Sequence, residues 1–103
     1  MSRKRKSSPN EPRPGPRRYE VALTRRARQG LLDLTVRDFR RVDAKIAALA
    51  GDPRPQGVKK LEGVGDLYRI QSGNFRVIYR IEDARLVVVV VDVGDRKDVY
   101  RGL

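Results

Sequence analysis

A chain of 103 residues has room for one small domain, and 24 Lys and Arg against 13 Asp and Glu leave it a formal net charge of +11. It contains neither cysteine nor histidine, which excludes disulfides, thiolate zinc sites, His-based triads and the paired-histidine route to RNA cleavage. Its longest apolar run, Leu86 to Val91, falls far short of the ~20 residues that span a bilayer, so the expectation is a soluble cytoplasmic protein with an acidic or polyanionic partner.

Residues 1–18 hold seven basic side chains against Glu11 alone, together with Pro9, Pro12, Pro14 and Pro16. After Met1 this stretch has no large apolar residue whose burial could offset the entropy of ordering it, which predicts a disordered basic tail. It has no apolar h-region and is not a secretory signal. A solvated tail and a sequence-blind nucleic-acid anchor both remain open. The remaining residues, 19–103, form the predicted domain and carry 17 basic and 12 acidic side chains, a net +5.

The domain opens with Tyr19, Val21 and Leu23 alternating with Glu20 and Ala22, the period-two pattern of a short strand. Thr24 follows as a helix N-cap, with Ala27, Leu31, Leu32 and Leu34 on one helical face. Gly30 weakens this helix by about 1 kcal/mol relative to Ala. Thr35 is a second cap, and Val36, Phe39, Val42, Ile46, Leu49 and Ala50 recur at three- and four-residue steps before Gly51 and Pro53 end the helix. Two helices joined this tightly predict a helical hairpin. The stretch from Asp52 to Gly57 reads as a loop leading to Val58-Lys59-Lys60-Leu61.

The second half reads as β. Leu67 to Ile70 makes one strand, Ser72-Gly73-Asn74 a turn, Phe75 to Ile81 the next strand, and Glu82-Asp83-Ala84 another turn. Leu86 to Val93 is almost continuously β-branched and apolar, which predicts a central strand buried on both faces with helices packed on it. The resulting order is β-α-α-β-β-β, an α+β fold with a helical hairpin on a small, mostly antiparallel sheet.

Lys59, Lys60, Arg69, Arg76, Arg80, Arg96, Lys97 and Arg101 fall in turns and strands. Arginine offers a planar fork of donors suited to phosphate oxygens, so several converging on one sheet face would hold a phosphodiester. The plainer reading makes them solvated strand faces or partners of Glu62, Asp66 and Glu82. Tyr68 and Tyr79 lie within strands and suit packing. Tyr100 lies in a polar context, where Arg96, Lys97 and Arg101 could lower its pKa for proton transfer or leave it to stack on a base. The carboxylates are scattered, and no paired-acid or metal-binding cluster, P-loop or GxGxxG is present.

Four segments in order carry a resemblance to a known family: YEVALTRRAR, LAGDPRPQGVKKLEG, LYRIQSGNFRVIYRI and VVVVVDVGDRKDVYR. Across roughly residues 19–101 the chain resembles the RelE/ParE superfamily of bacterial type II toxins. RelE-like members cut mRNA in the ribosomal A site without a metal or cofactor; ParE-like members poison DNA gyrase. Both kinds are held inactive by a cognate antitoxin that usually also binds operator DNA, so contact with that DNA would run through the antitoxin. The segments lie closer to the RelE-like side. The resemblance implies that Arg76 contacts the scissile phosphate, Arg96 stabilises developing charge, and Tyr100 stands near the nucleophile or serves as base. It further implies an RNA-binding surface of Lys59, Lys60, Arg69, Lys97 and Arg101. Gln71 stands where some relatives place a lysine, and Asp95 where many carry His or Lys.

Overall fold

The sheet begins as the alternation at its N-terminus requires, with β1 at Glu20–Leu23. The structure is a computed structural model that describes residues 18–63 and 65–95. Apart from Arg18, the predicted tail lies outside the described residues. After β1 come α1 (Arg25–Leu32), α2 (Val36–Ala48), β2 (Lys59–Lys60), β3 (Leu67–Ser72), β4 (Phe75–Glu82), a 3-10 turn at Asp83–Arg85, and β5 (Val87–Asp95). The sheet order is β1-β5-β4-β3-β2, parallel between β1 and β5 and antiparallel elsewhere.

Both predicted caps form. Thr24 Oγ1 accepts the Ala27 N–H at 3.1 Å and donates to the Val91 carbonyl at 2.9 Å, which ties the start of α1 to β5. Thr35 Oγ1 accepts the Asp38 N–H at 3.2 Å. Ala27 and Leu31 of α1 and Val42 and Ile46 of α2, with Leu49, meet Ile70, Val77, Tyr79, Val88, Val90 and Val93 from one face of the sheet. Gly30 has a packing reason that outweighs its propensity cost. A Cβ there would run into the Val93 carbonyl oxygen, so glycine lets α1 lie directly on β5.

Four expectations are revised. The apolar run from Leu86 to Val93 is an interior strand, but β4 holds the middle of the sheet. Nor is that run buried on both faces throughout: Val88 and Val90 are buried and Val87, Val89 and Val91 half-buried, and both faces close only at Asp92 and Val93. Two short helices supply one covering layer only, so the other face keeps its β-branched residues without a helical roof. Leu86 itself stays out of the strand, closing the 3-10 turn at φ 55°, and pairing continues instead to Asp95. Finally, Lys59–Lys60, read as part of a connection, forms a short edge strand on β3. Among the described residues no helix is long and apolar enough to cross a membrane.

Candidate nucleic-acid interface on the open sheet face

Directly paired residues share a face of an antiparallel sheet, and faces alternate along each strand. Ile70 pairs with Val77 and both belong to the core, so the residues on either side of them face away from the helices. Lys59 is opposite Arg69, and Arg69 is opposite Ile78, making one row across the open face. Gln71, Arg76 and Gly94 make the next row. Side chains in neighbouring rows of this kind lie within reach of one another. The register therefore brings together three of the sequence-predicted residues, Lys59, Arg69 and Arg76. Gly94 puts no side chain at the position beside Arg76.

Lys59 and Arg69 pair with no carboxylate among the described residues. Gln71 turns its amide onto the hairpin, donating to the Gly73 carbonyl at 3.0 Å. Arg80 shares the open face by its pairing with Leu67, but its Nε is held 3.1 Å from Glu82, which also binds Arg85 at 3.0 Å. Lys60 is not part of the group. It pairs with Tyr68, whose side chain packs against the core on the helix-covered face, and its ammonium lies 3.6 Å from Asp66. Arg96, Lys97, Tyr100 and Arg101 lie outside the described residues. The last of these, Asp95, is opposite Phe75, one residue from Arg76.

At the other end of the sheet a polar cluster joins segments far apart in sequence. Arg54 donates to both carboxylate oxygens of Asp83, at 3.2 and 2.9 Å, and Tyr19 donates to Asp83 Oδ1 at 2.6 Å. These donors, Arg54 foremost, hold the Asp83 carboxyl down at a pKa of about 2. The Arg54 guanidinium carbon stands 5.4 Å from the centre of the Tyr68 ring, and Tyr68 stacks on Tyr79 at 5.9 Å. Tyr79 is fully buried and donates to the Pro53 carbonyl at 2.7 Å. Burial pushes its phenol well above the usual range, so it is a packing residue and no base near neutral pH. No local motif announces this cluster, because Tyr19 and Asp83 are 64 positions apart.

The reading of turns and strands also passed over the helices. Arg25, Arg26, Arg28, Arg37, Arg40, Arg41 and Lys45 are all exposed on α1 and α2. Arg26 reaches the buried carboxylate of Asp92 at 3.0 Å. Between the end of α2, the 52–57 loop and β3 lies a cavity of about 420 Å³, lined in part by Lys45, Asp52 and Gln71. No three carboxylates stand together to hold a metal ion among the described residues.

The helical pair on one face of a five-stranded mixed sheet is a fold that this chain shares with solved toxins. Residues 21–100 match the family model described as ParE toxin of the type II toxin-antitoxin system parDE, and the chain belongs to the RelE/ParE superfamily of type II toxins. More particularly, it is a toxin of the RelE family. It is 30% identical over 84 residues to toxin RelG of Mycobacterium tuberculosis, covering 81% of this chain and 97% of the relative. With the mRNA interferase toxin RelE of Escherichia coli it shares 34% identity over 73 residues, 67% of this chain and 74% of the relative. Its fold matches a chain of the RelBE2 toxin–antitoxin complex of Mycobacterium tuberculosis with a TM-score of 0.69 at 28% identity, over 80% of this chain and 95% of that one. A chain of the RelE–RelB complex of Pyrococcus horikoshii gives a TM-score of 0.68 at 30% identity, over 79% and 98%.

Proposed function

We propose that this toxin is a ribosome-dependent mRNA endonuclease that cuts within the A-site codon and needs no metal. The observation that carries this reading is the gathering of Lys59, Arg69 and Arg76 on the sheet face away from the helices. The RNA's own 2′-OH attacks the adjacent phosphorus, the bond to the 5′-oxygen breaks, and the products are a cyclic phosphate and a free 5′-OH. Arg76, with Arg96 of the C-terminal segment, stabilises the charge that builds on the phosphorane. Preorganised donors of this kind are worth about 3–4 kcal/mol each. Tyr100 takes the 2′-OH proton, while Lys59 and Arg69 hold the RNA backbone, joined by Lys97 and Arg101. A chain without histidine has a weak set of bases, so the ribosome's orientation of the RNA supplies much of the rest; positioning can contribute ~7–11 kcal/mol.

The name mRNA interferase on the Escherichia coli relative supports this chemistry. The complexes with RelB antitoxins support a cognate antitoxin for this chain as well. Against a domain of net charge +5, its toxin-binding segment is acidic, association is fast and salt-sensitive, and operator DNA is met only through that partner. The protein acts in the cytoplasm, where its substrate is. The ParE family match favours a second reading, a non-nucleolytic inhibitor of DNA gyrase that uses the same basic face.

The deciding experiment is a reconstituted translation reaction with a defined message, read by primer extension. Cuts confined to A-site codons and absent on free RNA are expected. An intact message together with blocked supercoiling by gyrase would select the second reading.

A further inference from the structure

Arg41 and Lys45 stand one helical turn apart on α2, both exposed, and neither pairs with a carboxylate among the described residues. Like charges at i and i+4 repel by a few tenths of a kcal/mol, which offsets part of what Lys45 gains in the last turn of α2. The tertiary structure turns it toward the sheet. A guanidinium nitrogen of Arg41 lies 3.2 Å from the place a Cβ would occupy on Gly73, so the side chain rides over the β3–β4 turn. Lys45 and Gln71 line the same cavity, and Gln71 is the direct ladder neighbour of Arg76. Asp52, the carboxylate in the same lining, accepts the Arg54 backbone N–H at 3.3 Å.

We infer that the RNA-binding surface continues beyond the sheet, from Arg76 past Gln71 and over the β3–β4 turn to α2, where Arg41 and Lys45 bind backbone phosphates of the same RNA outside the codon being cut. The inference rests on the RNA-cleaving reading and extends its site. Four helical residues separate the two cations by ~6 Å along the axis, so each can take a phosphate of its own. Arginine's fork and lysine's point charge both suit phosphate oxygens. The continuity with Arg76 favours RNA over an acidic peptide as the ligand.

The test uses the full-length chain and a fluorescein-labelled single-stranded RNA, with affinity followed by anisotropy across a salt series. Each phosphate contact on a single strand contributes ~0.7 to the slope of log affinity against log salt. The Arg41→Ala/Lys45→Ala variant is therefore expected to bind more weakly and to lose ~1.4 from that slope. Arg85→Ala is the single-charge control at the far end of β4, where the arginine already belongs to Glu82, and less than half of that loss in slope is expected. Both variants change exposed side chains, and matching thermal unfolding midpoints confirm intact folds. A double variant whose slope matches that of Arg85→Ala overturns the inference, as does wild-type protein that binds no RNA. Weakened capture of an acidic peptide with an unchanged RNA slope also overturns it. The translation reaction separates this failure from that of the underlying reading. Messages still cut by wild type, with no slope change in the double variant, sink the α2 track alone. Messages left whole, with the slope lowered as expected, sink the nuclease and leave the surface standing.

Discussion

The two ends of the sheet treat their cations differently. Around the 3-10 turn, Arg54, Arg80 and Arg85 are each bonded to a carboxylate, of Asp83 or Glu82. Toward the β3–β4 turn, Lys59, Arg69 and Arg41 have no carboxylate among the described residues. A guanidinium already facing a carboxylate has its charge matched locally and serves to tie segments together. One facing solvent keeps its donors for a ligand that brings its own negative charge. Net charge alone does not separate these roles; pairing does.

The largest effect expected is on activity, at the sheet face away from the helices. Arg76→Ala should lower cleavage on the ribosome by about 100- to 1,000-fold, the scale seen when one preorganised donor is lost. Antitoxin binding, measured by calorimetry on the same sample, should stay near wild type. Unchanged cleavage would remove Arg76 from the chemistry.

Next comes a change of stability alone. Gly30→Ala pushes a methyl into the Val93 carbonyl, and a cost of about 1–3 kcal/mol is expected by denaturant titration. A neutral result would mean that α1 can lift off β5 freely. Tyr79→Phe removes the hydroxyl that satisfies the Pro53 carbonyl and should cost about 1 kcal/mol, with cleavage retained. Loss of cleavage at wild-type stability would instead give Tyr79 a chemical role.

The smallest effect sharpens the comparison through pH. Asp83 is held at a pKa of about 2, below the ordinary carboxylate value near 3.9. Its ionised form therefore stabilises the fold above about pH 4, and that contribution disappears as the pH falls from there toward 2. Asp83→Asn should lower stability at neutral pH and flatten the acid limb of the unfolding midpoint, leaving cleavage unchanged. Both partners are about half exposed, so the effect is modest. An acid limb as steep as in wild type would place the titrating group elsewhere.

Much of the fold was legible because its signals are local. Thr24 and Thr35 cap as their positions suggest, and the apolar steps from Val42 through Ile46 to Leu49 do become core. The valine run misled for a physical reason. An apolar β-branched strand looks the same whether one face or both are covered, and only the number of covering layers tells them apart. Gly30 looked like a defect because helix propensity is counted within the helix, whereas its value lies in the approach to Val93. In the site, Lys59, Arg69 and Arg76 were recognisable as basic residues of the right type. Lys60, their neighbour in sequence, left the group because strand alternation sends adjacent side chains to opposite faces.

By itself the sequence determined the two helices and their caps, the four longer strands, the family, and a side-chain set without histidine or cysteine, since each follows from residue type and short-range spacing. Tertiary structure alone decided which cations are matched by carboxylates and which face solvent. The Arg54–Asp83–Tyr19 tie, the row from Lys59 to Ile78 and the reach of Arg41 over Gly73 all depend on register and packing between segments dozens of residues apart. Coulombic pairing acts through space, and spacing along a chain carries almost none of that information.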